Sequence, residues 1–578
     1  MNSTTYNPFN WDIKTLPLEV ASSLADNQLA VGSVAAAAAG LVWYLLRSDD
    51  SQVKRIRALP FFGQWAFFTK RYDFIVDGFR KLPQETAFGF GVLGHDVVAL
   101  RGEEARKAFF SRSDLSFTEG YQLLFGGGPS TKDIVKDKIV RNDQEELSFF
   151  LRHLAPLLKM DRLAGLTPDL MSDIERNMDT WGETGKFDPF EVMYSTVFQL
   201  TIRVAGAREI ADSMEKCKQL EELYWKVEKG STAASLLLPW LPSSARKQKV
   251  SATTEIYTIF DDIIKTRQRE NRREEDALQI FIDQGDSTVD IIGFIMGTLF
   301  AGIVNTGLMS AWIFIFLDQV PEWRDKVIDE IRALLNKYAP IAEGSDSTAE
   351  RFSRIPAQVW ENEMPVLETC IRETIRLIIS GAALRRLTSG DTVIDGKKVP
   401  NGTFLAYLLG ETHSDPNIYP NPSQFNPGRY TEEQDKSQTY GFLGWGVGRH
   451  PCAGRRFAQF EIKSMVAMFL ASYTYEVIDS NGKKPDPSVT VPDKNNLYQV
   501  RERIRRRNTH KLISATIGPP KGTNILCQVY QEGATTLVYF FRSGSRIFWL
   551  YIPTIINAYM RVFEIIMTLR VINTGKRT

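Results

Sequence analysis

The sequence predicts a mainly α-helical protein with a small β region, preceded by one transmembrane helix near the N-terminus. Helices are indicated by two long uncharged segments, residues 29–46 and 291–317, and by the amphipathic period of residues 366–379. The β region is indicated by residues 392–409, where apolar and polar side chains alternate as in a hairpin or a small sheet. Helices therefore dominate the predicted fold.

Length and composition exclude several classes of protein. A chain of 578 residues with 43% hydrophobic and 24% charged side chains is neither disordered nor collagen-like, and it is long enough for one large enzyme domain. A net charge of +1 provides no general attraction to nucleic acid, so we expect no nucleic-acid partner. Four scattered cysteines do not suit a disulfide framework, and no two of the five histidines have the spacing of a helical metal site.

Residues 29–46 are the predicted membrane anchor. As an α-helix they rise about 27 Å, enough to cross the hydrocarbon core of a bilayer. Trp43 and Tyr44 lie where interfacial aromatic residues are common, and the linker that follows, residues 47–59, is basic. The positive-inside rule therefore places residues 1–28 on the lumenal side and the rest of the chain in the cytosol. A cleaved signal peptide is the disfavoured alternative, because no basic segment precedes the apolar run.

The second apolar segment, residues 291–317, has two interpretations. Ser287 provides a helix start and Pro321 an end, so the helix has roughly thirty residues. A helix that is apolar all round is either a membrane span or the central helix of a large core. Gly302 and Asn305 at its middle would be unfavourable in lipid and useful in a ligand pocket. The helix by itself leaves both interpretations open.

A glycine-rich loop around Cys452 carries the strongest chemical signal. Gly446 and Gly448 allow backbone conformations closed to other residues and a close approach to a flat partner, and Gly454 removes a side chain where a helix starts. Cys452 is thereby placed near a helix N-terminus, where the macrodipole and the free amides favour the thiolate. Such a thiolate is a metal ligand or a nucleophile.

The residues alone leave three uses of this cysteine open. A catalytic nucleophile would need a base, and His450 lies two residues away, although such pairs usually draw the base from elsewhere in the fold. A haem ligand would use every feature of the loop, with Arg449 or His450 directed toward a propionate. An inert buried cysteine in a glycine-rich turn is the third use.

The loop from Trp445 to Gly454 resembles the cysteine-ligand loop of the cytochrome P-450 superfamily, the haem-thiolate oxygenases. Two other segments support the resemblance. Residues 373–376, Glu-Thr-Ile-Arg, resemble the family's Glu-x-x-Arg helix, and residues 425–429, Phe-Asn-Pro-Gly-Arg, resemble its Pro-x-Arg element. The sequence is therefore identified as a member of this family, with residues 60–510 as the catalytic domain.

The resemblance implies the cytochrome P-450 fold and a bound haem b. Cys452 would be the proximal ligand of the haem iron. A buried charged triad would support the cysteine loop, and it comprises Glu373, Arg376 and Arg429. Arg385 or Arg386 would contact a haem propionate, and the choice between them stays open.

Ala301 to Thr306 resembles the family's central helix, which crosses the distal face of the haem, and this predicts that residues 291–317 are buried in protein. The chain departs from the family pattern here, because Val304 occupies the acidic position and Asn305 the first threonine position. Asn305 or Thr306 could still order a water molecule during oxygen activation.

The resemblance implies a monooxygenase of the microsomal eukaryotic type. It would hydroxylate or epoxidise an apolar small molecule, such as a terpenoid, a steroid or another secondary metabolite, with O2 and electrons from NADPH delivered by a flavoprotein reductase. The side chains on the substrate side would be Ile303, Val304 and Ile379. The protein would be a single-pass protein of the endoplasmic reticulum membrane with a cytosolic catalytic domain, and the divergent helix favours a fungal biosynthetic pathway.

Other interpretations stay open. A haem-thiolate isomerase or dehydratase would rearrange a hydroperoxide without a reductase. A multi-span membrane protein would place residues 291–317 and 547–560 in the bilayer. Residues 511–578 form a C-terminal extension of unassigned role. A basic patch for an electron donor, or merely a solvated helix face, would comprise Arg455, Arg456 and Lys463.

Overall fold

The computed structural model describes residues 53–56, 64, 66–92, 94–125, 143–182, 185–230, 243–340, 346–431, 438–479, 482–487, 490–500 and 513–518. The predicted lumenal segment 1–28, the anchor 29–46 and most of the extension 511–578 lie outside these ranges. The predictions made for them stay predictions.

Helices form most of the described structure. In chain order they are α1 (Ala66–Thr69), α2 (Arg71–Lys81), α3 (Glu103–Ser111), α4 (Phe117–Phe125), α5 (Asp143–Leu157), α6 (Met160–Asp179), α7 (Pro189–Ala205), α8 (Arg208–Ala211), α9 (Met214–Gly230), α10 (Ser244–Glu270), α11 (Ala277–Gln284), α12 (Thr288–Gln319), α13 (Pro321–Tyr338), α14 (Thr348–Ser353), α15 (Ala357–Asn362), α16 (Pro365–Ile378), α17 (Leu409–His413) and α18 (Arg455–Ser472).

The strands form a small β region, as predicted. They are β1 (Ala87–Val92), β2 (His95–Leu100), β3 (Leu115–Ser116), β4 (Gly185–Phe187), β5 (Ala382–Leu387), β6 (Thr392–Ile394), β7 (Lys397–Val399), β8 (Phe404–Leu408), β9 (Thr474–Asp479), β10 (Pro492–Asp493), β11 (Asn496–Val500) and β12 (Ile513–Gly518). The largest sheet has the order β1-β2-β8-β5-β3. Its β2 and β8 are parallel, with Val97 opposite Phe404.

The long apolar helix α12 lies in the core. Ser287 caps its N-terminus by accepting a hydrogen bond from the Asp290 amide at 3.2 Å, and Pro321 begins the next helix. Trp312 and Ile313 are fully buried, and α7 packs along α12. In the described part of the chain, α12 is the helix whose length and composition would allow a membrane crossing, but most of its apolar window is buried inside the protein. Burial on this scale supports the prediction of a core helix.

The predicted hairpin begins at β6. Asp395 and Gly396 connect β6 to β7 with φ angles of 47° and 71°. Two successive positive φ angles belong to the tight turns whose twist matches paired strands, and Asp-Gly is a preferred sequence for them. The chain then enters β8, a fully buried strand at the centre of the largest sheet.

The second sheet extends beyond the predicted end of the catalytic domain at residue 510. Ile513–Gly518 forms β12, the middle strand between β4 and β9. Ala515 lies opposite both Phe187 and Val477. The folded body therefore continues at least to Gly518, because both neighbouring strands hydrogen-bond to this segment.

Helix α18 buries a carboxyl group that the sequence analysis did not single out. Glu461 is 1% exposed, and its Oε1 accepts no hydrogen bond from the described residues. Burial raises its pKa well above 4.5, and the neighbouring Thr201 hydroxyl lowers the pKa by less. Burial therefore favours the neutral carboxylic acid form of Glu461 in the folded protein.

The Glu461→Gln variant should become more stable relative to the wild type as the pH rises. Above pH 4.5 the carboxyl ionises in the unfolded chain and stays protonated in the folded chain, which costs up to about 1.4 kcal/mol per pH unit until the folded pKa is reached. Urea unfolding at a mildly acidic and a mildly alkaline pH measures the difference. Exposed Glu322→Gln is the control, and an equal effect of Glu461→Gln at both pH values would contradict the prediction.

Candidate active site

The cysteine loop presents Cys452 to the N-terminus of α18. The Cys452 amide donates to the Trp445 carbonyl at 2.7 Å, and the Arg455 amide donates to the Cys452 carbonyl at 3.4 Å. Cys452 is exposed in an open cavity. The surrounding protein still raises the pKa of its thiol, and the helix N-terminus with the Arg455 charge lowers that pKa by less. A metal ion bound to the sulfur would favour the thiolate, because a coordinating thiol loses its proton.

The backbone conformation of the loop requires glycine at two positions. Gly446 and Gly448 have φ angles of 66° and 65°. A Cβ atom at Gly446 would lie 2.5 Å from the His450 carbonyl oxygen, and one at Gly448 would lie 2.2 Å from the Phe110 carbonyl oxygen. These glycines pack the loop against itself and against α3. Gly454 differs, because its φ is −87° and no described atom lies within 4 Å of its Cβ position.

Gly448→Ala should therefore destabilise the loop and reduce haem retention. The substitution combines a positive φ with a backbone clash, which should cost about 1 to 3 kcal/mol. Chemical unfolding and the haem-to-protein ratio measure both effects. Gly165→Ala in α6 is the control, because that position is exposed with open space around it and alanine favours helix. Equal stability of Gly448→Ala and the wild type would refute this account of the loop.

The three residues of the implied triad meet in the structure. Arg376 donates to both Glu373 carboxylate oxygens, at 2.7 and 2.8 Å, and Arg429 Nε donates to Oε1 at 3.0 Å. The Tyr430 hydroxyl and the Asn426 amide donate to the same carboxylate at 2.8 and 3.1 Å. The exposed fractions of the Glu373, Arg376 and Arg429 side chains are 0%, 1% and 5%. Both oxygens of the buried Glu373 carboxylate thus accept hydrogen bonds from charged donors, as a buried carboxylate requires.

The structure separates the two candidate propionate contacts. Consecutive residues of a strand point to opposite faces. Arg385 is 3% exposed, and its guanidinium lies 5.0 Å from the centre of the Phe117 ring. Arg386 points the other way and pairs with Glu119 at 3.1 Å, with about a third of each side chain exposed. Arg385 is therefore the arginine on the side of the cysteine loop.

Arg449 and the imidazole of His450 lie near Arg385. The His450 ring stacks on Phe117 with 5.1 Å between the ring centres, and burial together with the charges of Arg385 and Arg449 lowers the pKa of His450. Arg449 and His450 line a cavity of about 430 Å³. In the described part of the chain, Arg385 has neutral partners only: the Leu384 carbonyl, the Tyr121 phenol and aromatic rings. This cluster suits the carboxylates of a haem.

The middle of α12 has an accessible face. Ala301 and Asn305 are exposed and Val304 is half-buried, although most of the helix is buried. Thr306 is 4% exposed, and Ile303 is fully buried in the core. The predicted substrate contact of Ile303 is therefore not supported, because its side chain lies on the face of the helix that packs against other helices. Of the two predicted catalytic residues, the structure brings only Asn305 to the accessible face.

Ile379, the third predicted substrate contact, is half-buried just after α16.

The predicted basic patch is smaller than expected. Arg455 and Arg456 are exposed, and Arg456 pairs with Glu361 at 3.2 Å. Lys463 is buried and donates to the Trp360 carbonyl at 2.9 Å, so it does not belong to the surface.

An open cavity of about 810 Å³ lies beside Cys452. Acidic, basic and apolar side chains line it, including Leu151 of α5.

Sequence reasoning missed two residues of this region. His413 and Tyr430 connect the triad with neighbouring loops. Their position in a proline-rich stretch, 413–430, was the available signal, since an irregular loop of this length must satisfy its backbone through side chains.

These residues fit a haem held by a cysteine. Cys452 offers sulfur near a helix N-terminus, and Arg385 and Arg449 offer cations for the propionates.

Comparisons with known proteins agree with this interpretation. The sequence model of the cytochrome P-450 family matches residues 54–500. The chain is 29% identical over 74% of its length to cytochrome P-450 monooxygenase AacuE of Aspergillus aculeatus, of which it covers 86%. It is 27% identical over 68% of its length to the sterol 14-demethylase of Arabidopsis thaliana, of which it covers 79%. The solved structure of retinoic acid bound cyanobacterial CYP120A1 shares the fold, with a TM-score of 0.59, 21% identity and coverage of 74% of this chain and 93% of that chain.

The fold and the site define a haem protein whose axial iron ligand is a cysteine thiolate. The chain belongs to the cytochrome P-450 family, and it is a monooxygenase of that family.

Proposed function

We propose that this monooxygenase hydroxylates or epoxidises an apolar small molecule, such as a terpenoid, a steroid or another secondary metabolite. One oxygen atom of O2 enters a C–H or C=C bond, and the other leaves as water, which takes up two electrons from NADPH and two protons, one counted with NADPH and one from the solvent. Bound haem supplies the redox chemistry of this insertion, and the protein supplies position and electrostatics. The observation that carries the proposal is the position of Cys452, which the glycine-rich loop holds directly before the N-terminus of α18.

Cys452 would bind the iron through its sulfur. Arg385, assisted by Arg449 and His450, would hold the propionates, because the described residues give Arg385 no carboxylate of their own. Paired cations and carboxylates fix the orientation of a planar ligand as well as its affinity.

Asn305 is the polar side chain on the accessible face of α12, and Ala301 precedes it by one turn. Its amide would order a water molecule and hold a proton near the reacting centre, since Val304 offers no titratable group. Val304 and Ile379 would contact the substrate. Both are apolar and half-buried, which favours a substrate with few hydrogen-bonding groups.

The electron donor would be an NADPH-dependent flavoprotein reductase that docks beside Cys452. The open cavity there is lined by apolar residues of α5 and by Arg455 and Arg456, which pair with Glu368 and Glu361, so a mixed polar and apolar surface of the partner would fit it. Residues 29–46 would anchor the protein in the endoplasmic reticulum membrane, with the catalytic domain in the cytosol. The named relative from Aspergillus aculeatus supports a fungal biosynthetic pathway.

Microsomes that contain the full-length chain and a reductase test the proposal. A panel of terpenoids and steroids is incubated with NADPH under isotopically labelled O2, and products are analysed by mass spectrometry. We expect products that carry one labelled oxygen atom and require NADPH. Products formed from a hydroperoxide without NADPH would instead establish the isomerase alternative and overturn the oxygenase proposal.

A further inference from the structure

His413 lies where the charged triad, the end of α16 and the cysteine loop meet. It is the last residue of α17 and is 1% exposed. Its ring stacks on Phe442, which precedes the glycine-rich part of the loop, with 5.6 Å between the ring centres. The activity described above assigns no role to this histidine.

Both ring nitrogens of His413 have a defined partner. Nδ1 lies 2.9 Å from the Ile379 carbonyl oxygen, and a carbonyl only accepts, so Nδ1 carries the proton. Nε2 lies 3.0 Å from the Leu443 amide, whose N–H donates, so Nε2 is unprotonated. Burial, aided by the charges of Arg376 and Lys494, lowers the pKa of His413 to about 3. The imidazole is therefore neutral near pH 7 and fixed in one tautomer.

Hydrogen bonds lead from this ring to the cysteine. The Leu443 amide donates to His413, and the Leu443 carbonyl accepts from the Gly446 amide at 3.0 Å. The neighbouring Trp445 carbonyl accepts from the Cys452 amide at 2.7 Å. The position of Leu443 thus sets the turn that places Cys452.

The triad reaches the loop through the same residue. Arg376 Nη1 donates to the His413 carbonyl oxygen at 2.7 Å. In the described ranges, the hydrogen bonds of Glu373, Arg376 and Arg429 reach residues 413–430 and none of them reaches residues 441–454. The backbone of His413 is therefore held by the triad, and its side chain holds the loop.

We propose that His413, protonated on Nδ1, is a positioning residue that orders the Cys452 loop by accepting the Leu443 amide. This proposal rests on Cys452 as the iron ligand. It assigns one link between the triad and the ligand to one imidazole nitrogen, beside a second link through Tyr419, whose ring packs against Arg376 and whose hydroxyl donates to the Gly441 carbonyl at 3.0 Å.

Two substitutions separate the two nitrogens. In His413→Gln the amide oxygen can still accept from Leu443, whereas in His413→Asn the shorter side chain can reach only Ile379. We expect hydrogen exchange at the Leu443 amide of the holoenzyme to accelerate about fivefold to tenfold in His413→Asn, the order expected from one lost buried hydrogen bond, and by less than about twofold in His413→Gln. The thiolate-type Soret band of the reduced carbon monoxide complex should weaken in His413→Asn and persist in His413→Gln.

His153→Asn is the matched control. His153 is partly buried, its Nδ1 lies 2.8 Å from the Phe149 carbonyl and its Nε2 2.9 Å from Asp286, but it lies outside the cysteine loop. Its substitution should leave exchange at Leu443 and the Soret band unchanged. Unchanged exchange and an unchanged band in His413→Asn would overturn the proposal, as would equal impairment in His413→Gln and His413→Asn.

A measurement on the wild type decides the question if neither variant binds haem. The holoenzyme is labelled with ¹⁵N-histidine, and its diamagnetic ferrous carbon monoxide complex is studied by NMR. One of the five histidines should show a protonated Nδ1 and an unprotonated Nε2 that do not titrate near neutral pH. The absence of such a signal would overturn the proposal. Both experiments are independent of NADPH-driven turnover, so they are separable from a failure of the proposed function.

Discussion

Replacing Cys452 by serine is expected to abolish the thiolate-type Soret band of the reduced carbon monoxide complex and all NADPH-dependent product formation. The thiolate donates electron density to the iron, and this favours cleavage of the O–O bond. A serine hydroxyl donates far less electron density. The hydrogen bonds that hold the loop, from the Cys452 amide to the Trp445 carbonyl and from the Gly446 amide to the Leu443 carbonyl, join backbone atoms and do not depend on the side chain. We therefore expect the loop to fold while the spectrum changes, which a difference spectrum and a circular dichroism spectrum measure together.

Cys370→Ala is the control for this substitution. Cys370 is fully buried in α16, and burial raises the pKa of its thiol beyond the range in which it ionises. Its loss should leave the band in place and lower the stability modestly. A thiolate-type band in Cys452→Ser would show that another side chain binds the iron, and the assignment of the site would fall with it.

Replacing Glu373 by glutamine should lower the stability of the protein by about 3 to 5 kcal/mol and prevent most haem incorporation. Two buried guanidiniums, those of Arg376 and Arg429, would lose their carboxylate, and an uncompensated buried charge is among the most destabilising changes known. Tyr430 would also lose its acceptor. Denaturant unfolding and the haem-to-protein ratio measure these effects.

Glu119→Gln is the matched control, because it removes the carboxylate partner of Arg386 on the surface. About a third of each side chain of that pair is exposed, so the loss should be below about 1 kcal/mol. If Glu373→Gln and Glu119→Gln proved equally mild, the triad would not be the support that its geometry indicates.

The sequence predicts the core helix α12 and the cysteine loop well, because few environments and few backbone conformations suit their residues. An uncharged stretch as long as residues 291–317 admits few environments, and the glycines at 446 and 448 are required by positive φ angles. The motif residues of the triad were found because the family resemblance supplies their spacing. Their contacts then follow from burial, since Glu373 tolerates burial only with full pairing.

Other features depend on contacts that a linear pattern does not contain. Lys463 has the composition of a surface residue, but it is buried against the Trp360 carbonyl. Ile303 is apolar and could by composition contact a substrate. Whether it faces the accessible side or the core depends on how α12 is oriented about its own axis, and in the structure Ile303 is fully buried. His413 offers no motif at all, because its importance arises from two partners, Ile379 and Leu443, brought together by tertiary structure.

The parallel pairing of β2 with β8 bears on how the chain is made. Val97 is synthesised long before Phe404, so the β8-facing edge of β2 stays without its partner strand while roughly half of the chain is translated. A nascent chain with an unpaired strand edge is prone to aggregate, and chaperones bind such chains. Low growth temperature during recombinant production should favour soluble protein for this reason.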